Sequence, residues 1–443
     1  IRSGLDLVRR SQGRMLLGDA LPLAEEIVGK LRERVRLAAV EPAGSLRRRK
    51  ETIGDIDILT TTAAGGPDAE DARALALIGA FTSLELAAEV LASGGTKGSI
   101  RTADGFQVDL RVVPPECWGA ALVYFTGSKA HNVKIRGIAH GRGLKVSEYG
   151  VFRGEERVAG GSEEDVYAAL DLPWIPPELR EDRGEVEAAG EGVLPALIET
   201  EDIRGDLHVH TNYSDGNLAP LETGKAAKAC GRRYVALTDH SKRLTIANGL
   251  DEKRLARRNE EIDEANAALK GIALLKGTEV DILKDGSLDY GDAVLASLDY
   301  VIASVHDSFH MSEQRMTARI VRAIRNPYVH CIGHLSGRLI GRRDPYQVNV
   351  AAVIEACAES GTALELNGQP DRLDATDVVC REAAAAGVKI SLGSDAHSAS
   401  NLALMDFCVA TARRGWLEKG DVLNCLTAAQ LRKFLGSRPN LTG

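Results

Sequence analysis

From residue 205 onward, one short apolar run after another stops on a histidine or a carboxylate. The runs are Asp206-Leu-His208-Val-His210, Tyr234-Val-Ala-Leu-Thr-Asp239-His240, Leu274-Leu-Lys-Gly-Thr-Glu279, Tyr300-Val-Ile-Ala-Ser-Val-His306, Val329-His-Cys-Ile-Gly-His334 and Ile390-Ser-Leu-Gly-Ser-Asp395-Ala-His397. Short segments rich in Val, Ile and Leu, separated by helical stretches, read as parallel strands buried on both faces. With Ala363-Leu-Glu-Leu-Asn367 they number seven, alternating with helices near 252–270 and 372–387. That alternation predicts a closed α/β barrel in preference to an open sheet. Catalytic groups of such barrels lie at the C-terminal strand ends, which here offer His208, His210, Asp215, His240, Glu279, His306, His334, Asp395 and His397.

A single strand-terminal histidine is ordinarily a hydrogen-bonded structural residue, but six such ends in one segment reverse that expectation. The set exceeds what one four-coordinate ion needs and suits a cluster of two or three. With nitrogen and oxygen donors and no cysteine, manganese, zinc and iron all remain open. Ion pairs of this kind assist in-line displacement at phosphorus, so hydrolysis of a phosphoester is expected. Lys242, Arg315, Arg319, Arg338, Arg342 and Arg343 are candidates to hold a phosphodiester backbone, although each alone reads as solvated surface. His208-Val-His210, Ser214-Asp215-Gly216, Thr238-Asp239-His240, Ser304-Val-His306 and Asp395-Ala-His397 resemble, in order, the motifs of the PHP (polymerase and histidinol phosphatase) phosphoesterases. The resemblance spans roughly 203–435 and implies that every metal position is filled.

A different chemistry occupies the first 160 residues. In Gly44-Ser45-Leu-Arg47-Arg48-Arg49-Lys50-Glu-Thr-Ile-Gly54-Asp55-Ile-Asp57-Ile-Leu, strand alternation puts Asp55 and Asp57 on one face and Ile56 and Ile58 on the other. A third carboxylate, Asp109, stands in the alternating run Phe106-Gln-Val-Asp109-Leu-Arg111-Val-Val and can complete a two-magnesium site. Gly44-Ser45 offers amides and a hydroxyl to phosphate oxygens, and Arg48 a charged fork. An isolated Asp-x-Asp is usually a solvated turn; here it sits inside a larger block.

That block, the later Val-Asp-Leu-Arg and the run Tyr124-Phe125-Thr126-Gly127-Ser128-Lys-Ala-His-Asn132 resemble the palm and thumb of family X DNA polymerases, within the nucleotidyltransferase superfamily. The resemblance implies that Asp55, Asp57 and Asp109 bind Mg2+ or Mn2+ and are catalytic, with Asp109 near the primer 3′-hydroxyl. It implies that Gly44, Ser45, Arg48 and Gly54 meet the triphosphate, that Tyr124, Phe125, Gly127 and Asn132 line the sugar and base pocket, and that Arg111 and Lys129 contact DNA. Gln107 stands where a basic residue is often found, and Lys129 where an acidic one often packs against the base. Palm, thumb and PHP together are similar to the bacterial and archaeal family X polymerases, whose small N-terminal DNA-binding domain this chain would enter near its end.

The expected fold is therefore α/β multidomain, a nucleotidyltransferase palm plus thumb followed by a distorted (β/α)7 PHP barrel. Expected divisions are 1–40 (end of fingers, helical entry), 41–118 (palm), 119–172 (thumb), 173–202 (linker, with Leu172-Pro-Trp-Ile-Pro-Pro177) and 203–443 (barrel). A length of 443 residues exceeds one ordinary core.

The net charge of −8 is unevenly spread. Residues 1–160 hold 23 Lys+Arg against 20 Asp+Glu, and the remainder 32 against 43, much of the excess belonging to ligands and linker. Weak, salt-sensitive DNA binding follows. Seven cysteines without a Cys-x-x-Cys pair read as reduced, no apolar run approaches a membrane span, and a cytoplasmic protein is expected. Aromatic residues at 4% leave little for a general single-strand stacking platform.

The expected partners are primer/template or gapped DNA and dNTP, with no membrane; protein partners stay open. The expected function is short gap filling in DNA repair, including base excision repair, coupled to metal-dependent 3′–5′ exonuclease or phosphoesterase action. The alternatives are an end-processing nuclease or phosphatase with a weak polymerase core, and a non-catalytic DNA-binding scaffold.

Overall fold

The computed structural model describes residues 13–62 and 67–437. The chain divides into two compact units, one ending at Leu194 and the other beginning at Pro195.

The first unit opens with helix α1 (Leu17–Arg34), which buries Leu17, Ala20, Ala24, Ile27 and Leu31, the i, i+3, i+4, i+7 stripe of an amphipathic helix. A five-stranded mixed sheet follows, built from β1 (Ala39–Pro42), β2 (Ile56–Thr61), β3 (Ala87–Ser93), β4 (Lys97–Thr102) and β5 (Gln107–Val112) in the order β1-β2-β5-β4-β3. The β2–β5 pair is parallel and sets Asp57 opposite Asp109, while β4 runs antiparallel to β5 and sets Ser99 opposite Asp109. The expected acidic face thus comes from strand register.

Helices α2 (Pro67–Thr82), α3 (Trp118–Thr126) and α4 (Lys129–Gly141) and a small antiparallel sheet (Lys145–Ser147, Gly150–Arg153, Glu156–Ala159) complete this unit. The segment 173–202, expected as a linker, is instead packed through residue 194. Ile175, Leu179 and Arg180 are wholly or almost wholly buried, and Glu185 bonds to buried His131 at 2.7 Å. Arg180 can be buried because Glu163 neutralises it at 2.7 Å and the Ile175 carbonyl accepts its Nε at 2.8 Å.

The second unit is the expected barrel. Parallel strands β6 (Gly205–Val209), β7 (Tyr234–Leu237), β8 (Ala273–Asp281), β9 (Tyr300–Ser304), β10 (Cys331–Ile332), β11 (Ala363–Asn367) and β12 (Ile390–Gly393) follow one another in sheet order. A bridge between Val209 and Ala396, with Asp395 N–H donating to the His208 carbonyl at 2.9 Å, joins the first strand to the chain just past the last. Helices Glu252–Ala268 and Asp377–Ala385 fall where the periodicity placed them. Along the strands the faces alternate: Tyr234, Ala236, Leu275, Tyr300 and Ile302 fill the barrel floor, whereas Val235, Leu237, Leu274, Val301 and Ala303 pack outward. On β8 the inward phase that begins with Leu275 continues through Gly277 to Glu279 and Asp281, so the interior turns from apolar to acidic toward the C-terminal end.

Candidate active sites

The first site lies on one face of the mixed sheet. Asp109 is 7% exposed and saturated with donors: Ser99 Oγ at 2.7 Å and Gln107 Nε2 at 2.9 Å reach Oδ1, and Lys97 Nζ lies 2.8 Å from Oδ2. Burial alone would raise its pKa, but these donors hold it below the ordinary carboxylate value. Asp57 behaves oppositely: burial and the charges of Asp55 and Asp109 push it up to about 7. A carboxylate that resists ionisation beside two others marks a place where cation charge is missing.

The turn preceding this strand is shaped around Asp57. Gly44 begins a helical turn (Gly44–Arg47) with φ +59°, and a Cβ there would stand 2.8 Å from Asp57 Oδ2. Ser45 sits on the same turn, and the Ala43 amide donates to the Asp57 carbonyl at 2.8 Å. Gly54 packs against the Arg14 guanidinium, and exposed Asp55 follows it. Arg48, expected to reach phosphate, here donates to the Thr126 carbonyl and lies 3.0 Å from Glu181. At the end of α3, the Phe125 ring carries the Arg111 guanidinium at 4.5 Å, and Asn132 Nδ2 donates to the Tyr124 carbonyl at 2.7 Å. Gly127 has φ +70° and its Cα faces the Arg48 guanidinium; Lys129 is exposed at the start of α4.

The second site occupies the C-terminal mouth of the barrel and gathers all nine residues read from the strand ends. Glu279, 1% exposed, is the hub: His334 Nε2 lies 2.9 Å and His306 Nε2 3.2 Å from Oε1, and His240 Nδ1 lies 2.8 Å from Oε2. Asp395 Oδ1 is 3.1 Å from His210 Nε2 and 3.7 Å from His208 Nε2. Asp215 Oδ2 is 3.3 Å from His397 Nε2 and 3.4 Å from His240 Nε2. The His210 ring centroid lies 4.4 Å from those of both His240, to which it is tilted, and His397, on which it stacks.

Three overlapping groups can each hold an ion: His210/Asp215/His240/His397, His208/His210/Asp395 and His240/Glu279/His306. The donors fit that role. His208 and His210 point their Nε2 atoms at each other at 3.0 Å, and the buried Nδ1 atoms of His210 and His334 have no hydrogen-bond partner among the described residues. Burial opposes protonation of His208, yet Glu365, Asp395 and Glu279 raise it well above its usual range, and His240 rises to about 10 against burial through Glu279 and Asp215. A divalent cation would replace those protons. The site therefore suits divalent metals.

Three of the four carboxylates that hold this assembly together, Glu365, Asp281 and Asp374, were not read from the sequence; the fourth, Asp239, was quoted there only as part of its motif. Glu365 binds His208 Nδ1 and accepts the His334 amide at 2.6 Å, while Asp281 binds His306 Nδ1. Asp239 receives Ser214 Oγ at 2.6 Å and Arg258 at 3.0 Å, fixing the loop that carries Asp215, and Asp374 receives the Ser336 amide at 2.9 Å. The signal for Glu365 and Asp281 was present: a carboxylate within an apolar strand, in the inward phase. Of the six cations expected near the cluster, Arg319 and Arg338 are instead buried clamps on backbone carbonyls, whereas Lys242, Arg315 and Arg342 are exposed.

Residues 121–181 match the DNA polymerase beta thumb family model, and residues 206–369 match the PHP domain model. Over 430 residues the chain is 41% identical to the DNA polymerase/3′-5′ exonuclease PolX of Bacillus subtilis (strain 168), covering 95% of this chain and 73% of that protein. The chain belongs to the PolX family, the family X DNA polymerases that carry a C-terminal PHP domain. Membership in the PolX family joins the two sites described above in one lineage. The barrel by itself is also similar to a probable phosphatase of Thermoanaerobacter sp. (strain X514), 28% identical over 253 residues, covering 54% of this chain and 96% of that protein. A probable phosphatase of Caldanaerobacter subterraneus is 30% identical over 203 residues, covering 43% and 75% respectively. Among the described residues, no helix is long and apolar enough to cross a membrane.

Proposed function

We propose that the chain is a two-site DNA-end-processing enzyme: a DNA-directed polymerase that fills short gaps in DNA repair, and a metal-dependent 3′–5′ exonuclease or related phosphoesterase. The carrying observation is that two acidic or histidine-rich donor sets, Asp57 against Asp109 and the nine-residue barrel cluster, coexist in one chain. In the first site Asp55, Asp57 and Asp109 hold Mg2+ or Mn2+, with Asp109 nearest the primer 3′-hydroxyl. In the second, His208, His210, Asp215, His240, Glu279, His306, His334, Asp395 and His397 hold two or three manganese, zinc or iron ions. Bound at either site, divalent cations supply Lewis acidity and charge neutralisation for phosphoryl transfer.

The chain's own groups do the rest. Gly44, Ser45 and Gly54 present backbone and hydroxyl donors to the triphosphate, and Arg48 joins them by exchanging Glu181 for phosphate oxygens. Tyr124, Phe125, Gly127 and Asn132 shape the sugar and base pocket, while Arg111 and Lys129 contact DNA. Glu365 and Asp281 fix the ring orientations of His208 and His306. The palm occupies 41–118 and the thumb begins at 119, the packed segment to 194 completing it. Primer/template or gapped DNA and dNTP are the substrates, met in the cytoplasm.

The test is a comparison of Asp55→Ala and His208→Ala on a 5′-labelled primer/template with Mn2+, with and without dNTPs. Asp55→Ala loses extension and keeps shortening of the primer; His208→Ala does the reverse. Loss of both activities through one substitution overturns the two-site reading.

A further inference from the structure

Ile246 is 94% exposed, far beyond the next large apolar residues, Val193 at 62% and Tyr149 at 60%. It stands at the tip of a loop, in the short 3-10 turn Thr245–Ala247, and both ends of that loop rest on a residue of the barrel cluster. The chain leaves from His240, and the Leu250 amide returns to the His240 carbonyl at 2.8 Å; the Ser241 amide donates to the Glu279 carbonyl at 3.0 Å.

The loop is also tied to its neighbours. Asn248 Nδ2 donates to the Tyr213 carbonyl at 3.1 Å, and Arg254 Nη1 binds the carbonyls of Asn248 at 2.8 Å and Gly249 at 3.0 Å. The Arg243 amide reaches Asp289 at 2.7 Å, and its guanidinium reaches Asp307 at 2.9 Å. Ala247, beside the tip, is 7% exposed and anchors it. A side chain held this firmly in water gains nothing for the fold from being apolar. Its surroundings state what would gain: Lys242 and Arg243, both exposed and paired with the surface carboxylates Glu252 and Asp307, precede an aliphatic tip on a loop rooted in a phosphoesterase cluster. Cations beside an apolar surface match a nucleotide, with phosphate on one side and a base face on the other.

We infer that Ile246 packs against the base of the terminal nucleotide of the DNA strand being trimmed, making it a specificity-determining residue for the barrel site. The inference rests on the proposed trimming activity. Lys242 and Arg243 release Glu252 and Asp307 in part to the adjoining phosphates, and the rigid loop holds the base at fixed distance from His240.

The experiment uses the full chain loaded with Mn2+ and three substrates: a 5′-labelled single strand, the same strand ending in an abasic tetrahydrofuran residue, and bis(p-nitrophenyl) phosphate. Ile246→Ser and Ile246→Ala each lower kcat/KM on the ordinary strand by roughly tenfold, the effect of uncovering one aliphatic side chain. Both stay within about twofold of the unsubstituted chain on the abasic strand and the small ester, and Ile246→Leu restores the ordinary strand. Equal loss on all three substrates assigns Ile246 to loop structure and overturns the inference, as does no loss on any. If the unsubstituted chain hydrolyses the small ester but shortens no DNA, the trimming reading itself fails and takes the inference with it.

Discussion

Glu163 accepts four hydrogen bonds: Arg47 and Arg180 at 2.7 Å on Oε1, Arg47 again at 2.9 Å and Trp174 at 3.0 Å on Oε2. Burial works against its charge, but the two guanidiniums bring its pKa down to about 2 from an ordinary 4.5. Because the folded value is depressed, the stabilisation is complete above pH 4.5 and drains away as pH falls through about 2. It amounts to roughly 3 kcal/mol. Glu163→Gln, measured by denaturant unfolding at pH 7, costs about 3–5 kcal/mol because two cations lose their partner; a change below 1 kcal/mol contradicts this account. Gly44 makes a second case. Gly44→Ala meets both an unfavourable φ and Asp57 Oδ2, so extension falls on the order of 100-fold through displacement of that carboxylate. A primer-extension assay with trimming as internal control checks it, and parallel loss of trimming argues for general misfolding. Neither Glu163 nor Arg180 was legible in the sequence, because a buried ion pair between distant residues leaves no local pattern. Asp57 and Asp109 were legible, because strand alternation fixes their faces before any pairing is known.

At the scale of elements, the barrel strands were the easiest part to read and their inner braces the hardest. Apolar run, then ligand, then helix is a local repeat, and it located all seven strands. Glu365 escaped notice because one carboxylate between two leucines looks like noise until the barrel curls round and, from β11, it meets His208 of β6 inside the barrel, past the intervening β12. The segment 173–194 hides its packing for a related reason: its prolines and charges imitate a linker, while Ile175, Leu179 and Arg180 are buried and Arg180 is neutralised by Glu163, which lies outside the segment. Strand packing also yields a prediction. A Cβ on Gly393 of β12 would stand 2.5 Å from the His208 Cβ and 2.6 Å from Glu365 Oε1. Gly393→Ala therefore wedges His208 from its brace, and bound metal measured by elemental analysis drops together with trimming while extension persists. Full metal content in that variant would show that the brace is dispensable.

At the scale of the whole molecule, two units with separate cores carry two chemistries. Cations bound to the folded barrel stabilise it by mass action, about 2.7 kcal/mol at a hundredfold excess over the dissociation constant. Calorimetry of the full chain with and without chelator is expected to lower the barrel's transition more than that of the first unit, whose site offers three carboxylates against the barrel's nine donors; a barrel transition that chelator leaves unmoved argues against a metal centre there. DNA binding, measured across a salt series, weakens as ionic strength rises with the modest slope of phosphate contacts made by a few exposed cations. The seam between Val209 and Ala396 carries one more consequence. The groups of the mixed-sheet site are all synthesised, and their supporting segments packed, by residue 194. The histidine cluster draws on both residue 208 and residue 397 and cannot assemble until the ribosome has delivered its last residue. On a nascent chain, capacity to lengthen DNA precedes capacity to shorten it, so a protein arrested partway through translation would be an extender with no eraser.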